Sequence, residues 1–238
     1  MNLLRQYIKK MLFEWEPAND ENMMLDQEGM EKSDRENVSR YLKSMGLLEG
    51  KVLSVIPADS FEFPVVHYPP VGSQECLEDL AQVIIQYGNR KVPEALQDAA
   101  DIDMNSLFEK YLENKGITYN TKYYESVEGD LVPLISEIKN FYNRPRPADT
   151  ARFLAVDFSG DELESAGTSS YPSGHTIQAY VIALLLGDQF PSVAEGLLAI
   201  AELVAQSRID RGVHFPSDIA YGREVAYLIF DEMKDGSF

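Results

Sequence analysis

The chain has 238 residues, 45% of them hydrophobic, which is enough to bury one sizeable core. Its 39 acidic and 21 basic residues give a formal charge of -18, which repels nucleic acid and anionic membrane surfaces. We therefore expect no nucleic-acid partner and no insertion into a membrane. If so acidic a protein binds an anion, it must gather its few cations in one place, so the positions of lysine and arginine are informative.

The N-terminal segment lacks the pattern of a secretory leader. Residues Met1–Trp15 interleave charged with apolar side chains, so they contain no continuous apolar centre. The longest uninterrupted apolar run, Ala179–Gly187, is too short to cross a bilayer. The sequence as written predicts a soluble, cytoplasmic protein, or a periplasmic or secreted one if a leader has been removed.

Apolar residues at helical spacing predict helices in the first part of the chain. An amphipathic helix is predicted within residues 3–15, where apolar side chains recur on one face. The capping box formed by Ser33 and Glu36 predicts a second helix, which should end at Gly46. Residues 51–71 are broken by four prolines, and this pattern indicates an ordered extended loop rather than a strand.

The rest of the chain carries further helical patterns. Ser73 can cap a helix that should end at Gly88, and residues 149–171 are predicted to form a loop. Further helices are predicted at 93–100, 104–115, 132–142, 176–186, 192–207 and 217–234. We therefore predict an all-α fold, in which residues 51–238 form one helical bundle and residues 1–50 form a helical arm.

Three short segments gather cations and two of the three histidines. The first, Lys139–Pro147, carries a lysine and two arginines where prolines end a predicted helix. The second, Tyr171–Thr176, is a turn that opens a helix, so its free main-chain N–H groups face outward beside His175. The third, Ser207–Asp218, supplies another arginine, then His214, and a carboxylate at its end.

Each segment has an ordinary explanation when taken alone. An Arg-Pro repeat is often a solvated helix end, and a Ser-Gly-His turn is often only a helix cap. A histidine and an aspartate four residues apart often pair on a helix surface. The three segments become informative in combination, because chance does not produce all of them in one order.

The combination resembles the catalytic signature of the type 2 phosphatidic acid phosphatase superfamily, which includes bacterial class A acid phosphatases, membrane lipid phosphatases and vanadium haloperoxidases. That signature reads Lys-x6-Arg-Pro, then Pro-Ser-Gly-His, then Ser-Arg-x5-His-x3-Asp. The residues at 170–176 and 69–73 are most similar to those of the soluble class A enzymes. The resemblance implies the all-α bundle of that superfamily. The eleven fixed positions are all met, by Lys139, Arg146, Pro147, Pro172, Ser173, Gly174, His175, Ser207, Arg208, His214 and Asp218.

These residue types suit phosphoryl transfer without a metal ion. The transition state spreads negative charge over three oxygens, which fixed cations and N–H donors stabilise. The sequence therefore predicts a phosphate-binding set and no cofactor. The predicted phosphate-binding residues are Lys139, Arg146, Ser173, Gly174 and Arg208.

The two histidines and one aspartate are the predicted catalytic residues. A neutral His214 attacks phosphorus if Asp218 holds the N–H of its other ring nitrogen, and a phosphohistidine results. His175 protonates the departing alkoxide and then activates the water that hydrolyses the intermediate. Because one histidine must start neutral and the other protonated, we predict a bell-shaped pH dependence with an acidic optimum.

The favoured function is a metal-independent acid phosphatase for small phosphorylated substrates. One alternative is a vanadium-dependent haloperoxidase, in which vanadate would bond to His214, although typical members of that group are longer. Another is a non-catalytic phosphate-binding protein. Arg144 and Arg211 are equally consistent with support behind the site and with a surface position. The apolar face of the first helix would suit contact in a homo-oligomer.

Overall fold

The computed structural model describes residues 38–47, 55–56 and 63–235. Every regular element within these ranges is a helix, and none is a strand. The all-α prediction is therefore confirmed. The helix predicted within residues 3–15 and the capping box at Ser33 lie outside the described residues. The division of the chain at residue 50 stays a prediction.

The described α-helices lie at positions close to those predicted from the sequence. Two short 3₁₀ turns, Glu164–Ala166 and Pro191–Val193, interrupt their succession. The α-helices are α1 (Val38–Ser44), α2 (Gln74–Tyr87), α3 (Glu94–Ile102), α4 (Asn105–Asn114), α5 (Thr121–Tyr142), α6 (Pro147–Phe153), α7 (Gly174–Gln189), α8 (Ala194–Asp210) and α9 (Pro216–Asp235).

Local capping explains several helix ends. The Ser73 hydroxyl accepts a hydrogen bond from the main-chain N–H of Cys76 at 3.1 Å, so α2 begins where a side-chain cap was predicted. Gly46 and Gly116 follow α1 and α4 with φ angles of 75° and 70°, a conformation that favours glycine after a helix. These positions agree with the sequence-based expectations.

Two predictions in the middle of the chain were wrong. Helix α5 begins at Thr121 rather than near Val132, and it contains Pro133 in its interior. A proline is usual in the first turn of a helix, so the sequence indicated a start there. Helix α6 occupies part of the predicted loop, because Pro147 holds the first helical position after Arg146.

Helix α7 is the central element of the bundle. Its residues Ile177, Val181, Ala183 and Leu186 are buried on several sides of the helix. A helix that is apolar all round is covered all round, and α7 packs most extensively on α8 and α9. The N-terminus of α7 is thereby fixed inside the protein, and with it the second signature segment.

The described part of the predicted arm packs on the same core. Val38 and Leu42 of α1 are fully buried in the main apolar cluster. The ring of Tyr41 lies 5.3 Å from the ring of Phe141 on α5, measured between centroids. Helix α1 therefore shares one core with the helices that follow it.

The turn between α8 and α9 yields a test of the fold. Gly212 has a φ of 71°, and a Cβ there would lie 2.6 Å from the ring of Phe158. We expect Gly212→Ala to lower the free energy of unfolding by about 1–3 kcal/mol, because both the backbone and the neighbour must shift. Urea denaturation measures this change.

The matched control is Gly129→Ala in α5. A Cβ at Gly129 would meet no atom within 4 Å, and alanine favours helix by up to about 1 kcal/mol. This variant should be as stable as the parent protein or more stable. Equal unfolding free energies for the two variants would contradict the prediction.

Candidate active site

The three signature segments meet at one pocket of about 150 Å³. The C-terminal half of α5, the N-terminus of α7 and the turn before α9 each contribute to its wall. The predicted residues that line the pocket are Lys139, Arg146, Gly174, His175 and His214. The other predicted residues are fully buried and lie behind them: Ser173, Arg208 and Asp218. The structure thus brings all the predicted site residues together.

His214 is held between an acceptor and a donor. Its Nδ1 lies 3.1 Å from Oδ2 of Asp218, and its Nε2 lies 3.0 Å from Nη1 of Arg146. A guanidinium can only donate, so Nε2 must be the accepting, unprotonated nitrogen. The ring hydrogen then lies on Nδ1 and is donated to Asp218. This is the tautomer that leaves a lone pair on Nε2.

Asp218 is a buried carboxylate with several donors. It accepts hydrogen bonds from Arg144 Nη1 at 2.6 Å, from the main-chain N–H of Phe215 at 2.9 Å, and from the hydroxyl of Ser170. Burial raises the pKa of Asp218, but Arg144 and the bonds from His214 and Ser170 outweigh burial and hold the pKa well below its ordinary value. Asp218 is therefore ionised at every pH at which the protein would work.

Arg144 supports the site from behind. It is 1% exposed, and besides Asp218 it donates to Ser217 Oγ at 2.6 Å and to Asp79 Oδ2 at 3.0 Å. Its guanidinium also lies 3.8 Å from the ring centroid of Phe215. Of the two positions open to Arg144 from the sequence, the structure therefore selects the buried, supporting one.

Arg211 and Asp79 were not resolved by sequence reasoning. Arg211 lies outside the pocket wall, where it pairs with Asp98 at 2.9 Å and with Asp161 at 3.2 Å.

Asp79 is the carboxylate partner of Arg144. The sequence pattern that could have found it is a charged residue three positions after Cys76, on the buried face of α2. A carboxylate on an apolar helix face indicates a buried cation opposite it.

Lys139 is a buried cation whose ammonium donates to the main-chain carbonyls of Ser169 and Ser170. Burial, and then the nearby charge of Arg146, lower the pKa of Lys139 to about 7. A Cβ at Gly174 would lie 3.2 Å from Ile135 and 3.7 Å from Cε of Lys139. Ile135 is the tight neighbour, so glycine at this position lets the first turn of α7 pack closely on α5, beside the lysine.

The first turn of α7 begins at a side-chain cap. Ser173 Oγ accepts a hydrogen bond from Thr176 Oγ1 at 2.9 Å and caps the main-chain N–H of Thr176. The main-chain N–H of Ser173 donates to the carbonyl of Asp218 at 3.1 Å. The helix start is thereby tied to the segment that carries His214.

His175 lies near a carboxylate that the sequence did not mark. Its Nε2 is 3.8 Å from Oδ1 of Asp101. The same oxygen accepts from Arg208 Nη1 at 2.6 Å and from Ser165 Oγ at 2.6 Å. Burial, and then Arg208, lower the pKa of His175 to about 3. Both histidines are therefore neutral in the free protein near neutral pH, since burial, and then Arg146, also lower the pKa of His214.

A second, larger cavity of about 860 Å³ adjoins the first at Arg146, which lines both. Its wall comes largely from 148–166, which supplies several acidic side chains. The same stretch of chain, continued to Thr168, also reaches the smaller pocket, where Ser165 and Thr168 contribute to the wall. Among the described residues, no group of three or more His, Cys, Asp or Glu side chains is placed to hold a metal ion.

Comparison with known protein families bears directly on this geometry. Residues 131–231 match the family model of the PAP2 superfamily, the type 2 phosphatidic acid phosphatases. The match runs from α5 to α9. The matched range includes all three signature segments, so the resemblance predicted from the sequence is confirmed.

Individual relatives match over part of their length. An acid phosphatase from Zymomonas mobilis is 36% identical over 89 residues, 37% of this chain and 33% of that protein. A non-specific acid phosphatase from Salmonella typhimurium is 33% identical over 100 residues, 40% of this chain and 38% of that protein. The matched part thus spans little more than a third of the length of these curated relatives.

A solved structure is also similar to this chain. It is a transmembrane PAP2-type phosphatidylglycerolphosphate phosphatase from Bacillus subtilis, with 23% identity and a TM-score of 0.47 over 70% of this chain and 88% of that one. In the part of the present chain that the structure describes, no helix combines the length and the apolar character needed to cross a membrane.

The lowered pKa of Lys139 predicts pH-dependent anion binding. Inorganic sulfate keeps its charge over the range tested, so only the protein titrates. We expect sulfate to bind about tenfold more weakly at about pH 8 than at about pH 6, because a lysine of pKa about 7 loses its charge between them. Isothermal titration calorimetry measures the two affinities.

Lys139→Met is the matched control for this titration. It lacks the ammonium at either pH, so it should bind sulfate weakly and without the tenfold fall. An affinity of the parent protein that is equal at both pH values would show that Lys139 does not titrate in this range.

Proposed function

We propose that the PAP2 domain hydrolyses phosphate monoesters by a metal-independent route, through a phosphohistidine formed on His214. The observation that carries this proposal is the placement of His214 in the pocket wall, with Nδ1 on Asp218 and Nε2 next to Arg146. The names of the Zymomonas and Salmonella relatives, which are acid phosphatases, support the same reaction class.

The first step is attack of the Nε2 lone pair on phosphorus. A bond from Nε2 to phosphorus forms as the ester P–O bond breaks, and the leaving oxygen takes a proton. Positive charge develops on the His214 ring, and the ionised Asp218, 3.1 Å from Nδ1, stabilises it. Arg144 keeps that carboxylate ionised and in place.

Substrate binding prepares this attack. In the free protein Arg146 Nη1 donates toward Nε2 of His214, so the lone pair is engaged. A bound phosphoryl group offers oxygens that are stronger acceptors for the same N–H because they are charged. Transfer of that hydrogen bond to the substrate frees the nucleophile. Lys139 and the first N–H groups of α7 complete the neutralisation of the phosphoryl charge.

The proton for the leaving group arrives with the substrate or after it binds. His175 is neutral in the free protein, which differs from the hypothesis that it starts protonated. A phosphate monoanion brings one proton into the pocket, while a bound dianion raises the proton affinity of His175. Both routes need one proton in the complex. Phosphate monoesters lose their second proton near about pH 6, so activity should fall on the alkaline side.

His175 also serves the second step. Once it has given up its proton it can accept one from water, which attacks phosphorus as the bond from phosphorus to Nε2 breaks. The products are inorganic phosphate and a neutral His214. The departing phosphate or solvent takes the proton from His175, and the site returns to its starting state.

The first experiment follows hydrolysis of a chromogenic aryl phosphate across about pH 4 to 9. We expect turnover with an acidic optimum, activity that survives a chelator because side chains neutralise the charge, and inhibition by vanadate, which adopts the five-coordinate geometry of the transition state. Loss of activity in chelator would overturn metal independence. Absence of turnover, together with halide oxidation in the presence of vanadate and peroxide, would identify a haloperoxidase instead.

The second experiment tests the intermediate. We expect His214→Ala to lower kcat by at least about a thousandfold, because the nucleophile is removed. His175→Ala should accumulate phosphate on His214 with a nitrophenyl substrate, since water is no longer activated. An alkaline quench followed by mass spectrometry detects the adduct. The control is His67→Ala in an exposed loop, which should act as the parent protein.

A further inference from the structure

A carboxylate outside the signature segments contacts the acid side of the pocket. Asp101 lies in the last turn of α3, and its Oδ1 accepts from Arg208 Nη1 at 2.6 Å and from Ser165 Oγ at 2.6 Å. Arg208 Nη2 also donates to Ser165 Oγ at 3.0 Å, which closes a ring of hydrogen bonds. The same Oδ1 lies 3.8 Å from Nε2 of His175. One oxygen therefore faces both a cation and a histidine.

The charges around His175 are otherwise positive. Arg208 faces it from α8 and Lys139 from α5, and both disfavour a proton on its ring. Arg146 and His214 share the pocket wall with it. Among these residues Asp101 is the carboxylate, so it is the group that favours a proton on the His175 ring.

We propose that Asp101 is a positioning residue for the reaction, which holds Arg208 and His175 on one carboxylate oxygen and so enables His175 to carry the proton for the leaving group. This inference rests on the proposed phosphatase function. It assigns the site a second pair of histidine and aspartate beside His214 and Asp218, at a longer distance and with a different task.

The electrostatics of the cluster agree with this role. The carboxylate and the main chain of Asp101 both raise the pKa of His175, against the larger lowering by burial and Arg208. Burial raises the pKa of Asp101 itself, but Ser165 and Arg208 outweigh burial and keep that pKa lowered, so the carboxylate stays charged. Removal of the charge would take away the carboxylate that acts most directly on His175 and leave the lowering by Arg208 and Lys139, so its hold on a proton would weaken.

The test is Asp101→Asn in the 238-residue chain, assayed on two phosphate esters. A nitrophenyl phosphate has a weakly basic leaving group that departs with little help, whereas an alkyl phosphate needs its oxygen protonated. We expect the kcat of Asp101→Asn to fall at least about tenfold more on the alkyl phosphate than on the nitrophenyl phosphate. The alkaline limb of kcat on the alkyl phosphate should also move to lower pH, because the carboxylate of Asp101 no longer raises the pKa of His175.

The comparison is insensitive to partial unfolding. Both substrates are measured on the same sample, so the folded fraction cancels from the ratio of the two kcat values. Asp101→Ser provides a second neutral variant if the asparagine variant does not fold. The control keeps the charge of Asp101: Asp98→Asn removes a neighbouring carboxylate of α3 that pairs with Arg211 and does not line the pocket. It should keep the substrate ratio of the parent protein.

Equal losses on the two substrates, with an unmoved alkaline limb, would overturn the inference and leave Asp101 with a structural role. The same difference between the two substrates in Asp98→Asn would also overturn it, because the loss of a carboxylate outside the pocket would then be enough. If the parent protein turns over neither substrate, it is the proposed phosphatase function that fails.

Discussion

The negative charge of Asp218, buried away from water, is the constraint on which the rest of the site depends. An unpaired buried carboxylate costs several kcal/mol, so its donors must be supplied by the fold. Arg144 supplies the charge, and Asp79 on α2 holds the other side of its guanidinium. Three distant parts of the chain are thus joined by one buried cation, and the orientation of His214 follows from their arrangement.

The two histidines differ because their aspartates differ. His214 contacts a carboxylate that is fully enclosed and directly bonded, so its ring is held as a single tautomer. His175 lies farther from Asp101, which it shares with Arg208, and this looser arrangement suits a group that must gain and lose a proton in each cycle. In the proposed reaction, the shorter distance from the ring to its aspartate distinguishes the nucleophile His214 from the acid His175.

Short-range patterns predicted the members of the site because each signature segment is one helix end with its adjoining turn. Lys139 and Arg146 flank the break between α5 and α6, and the cap at Ser173 is readable from its neighbours. Asp101 reaches the pocket from α3, which is far in sequence from all three signature segments, and no local pattern marks its approach. The start of α5 was missed for a related reason, since tertiary packing tolerates Pro133 inside a helix that propensity alone would begin there.

The small volume of the pocket separates chemistry from recognition. At about 150 Å³ it is well below the roughly 300–1,000 Å³ of sites that enclose a whole drug-sized ligand. In the proposed reaction this pocket holds the phosphoryl group, and its wall also contains Val132, Ser136 and Gln178. These three side chains carry no charge and lie outside the predicted phosphate-binding set, so a substitution there changes the surface that the rest of an ester meets and leaves the charges around the phosphoryl group as they are.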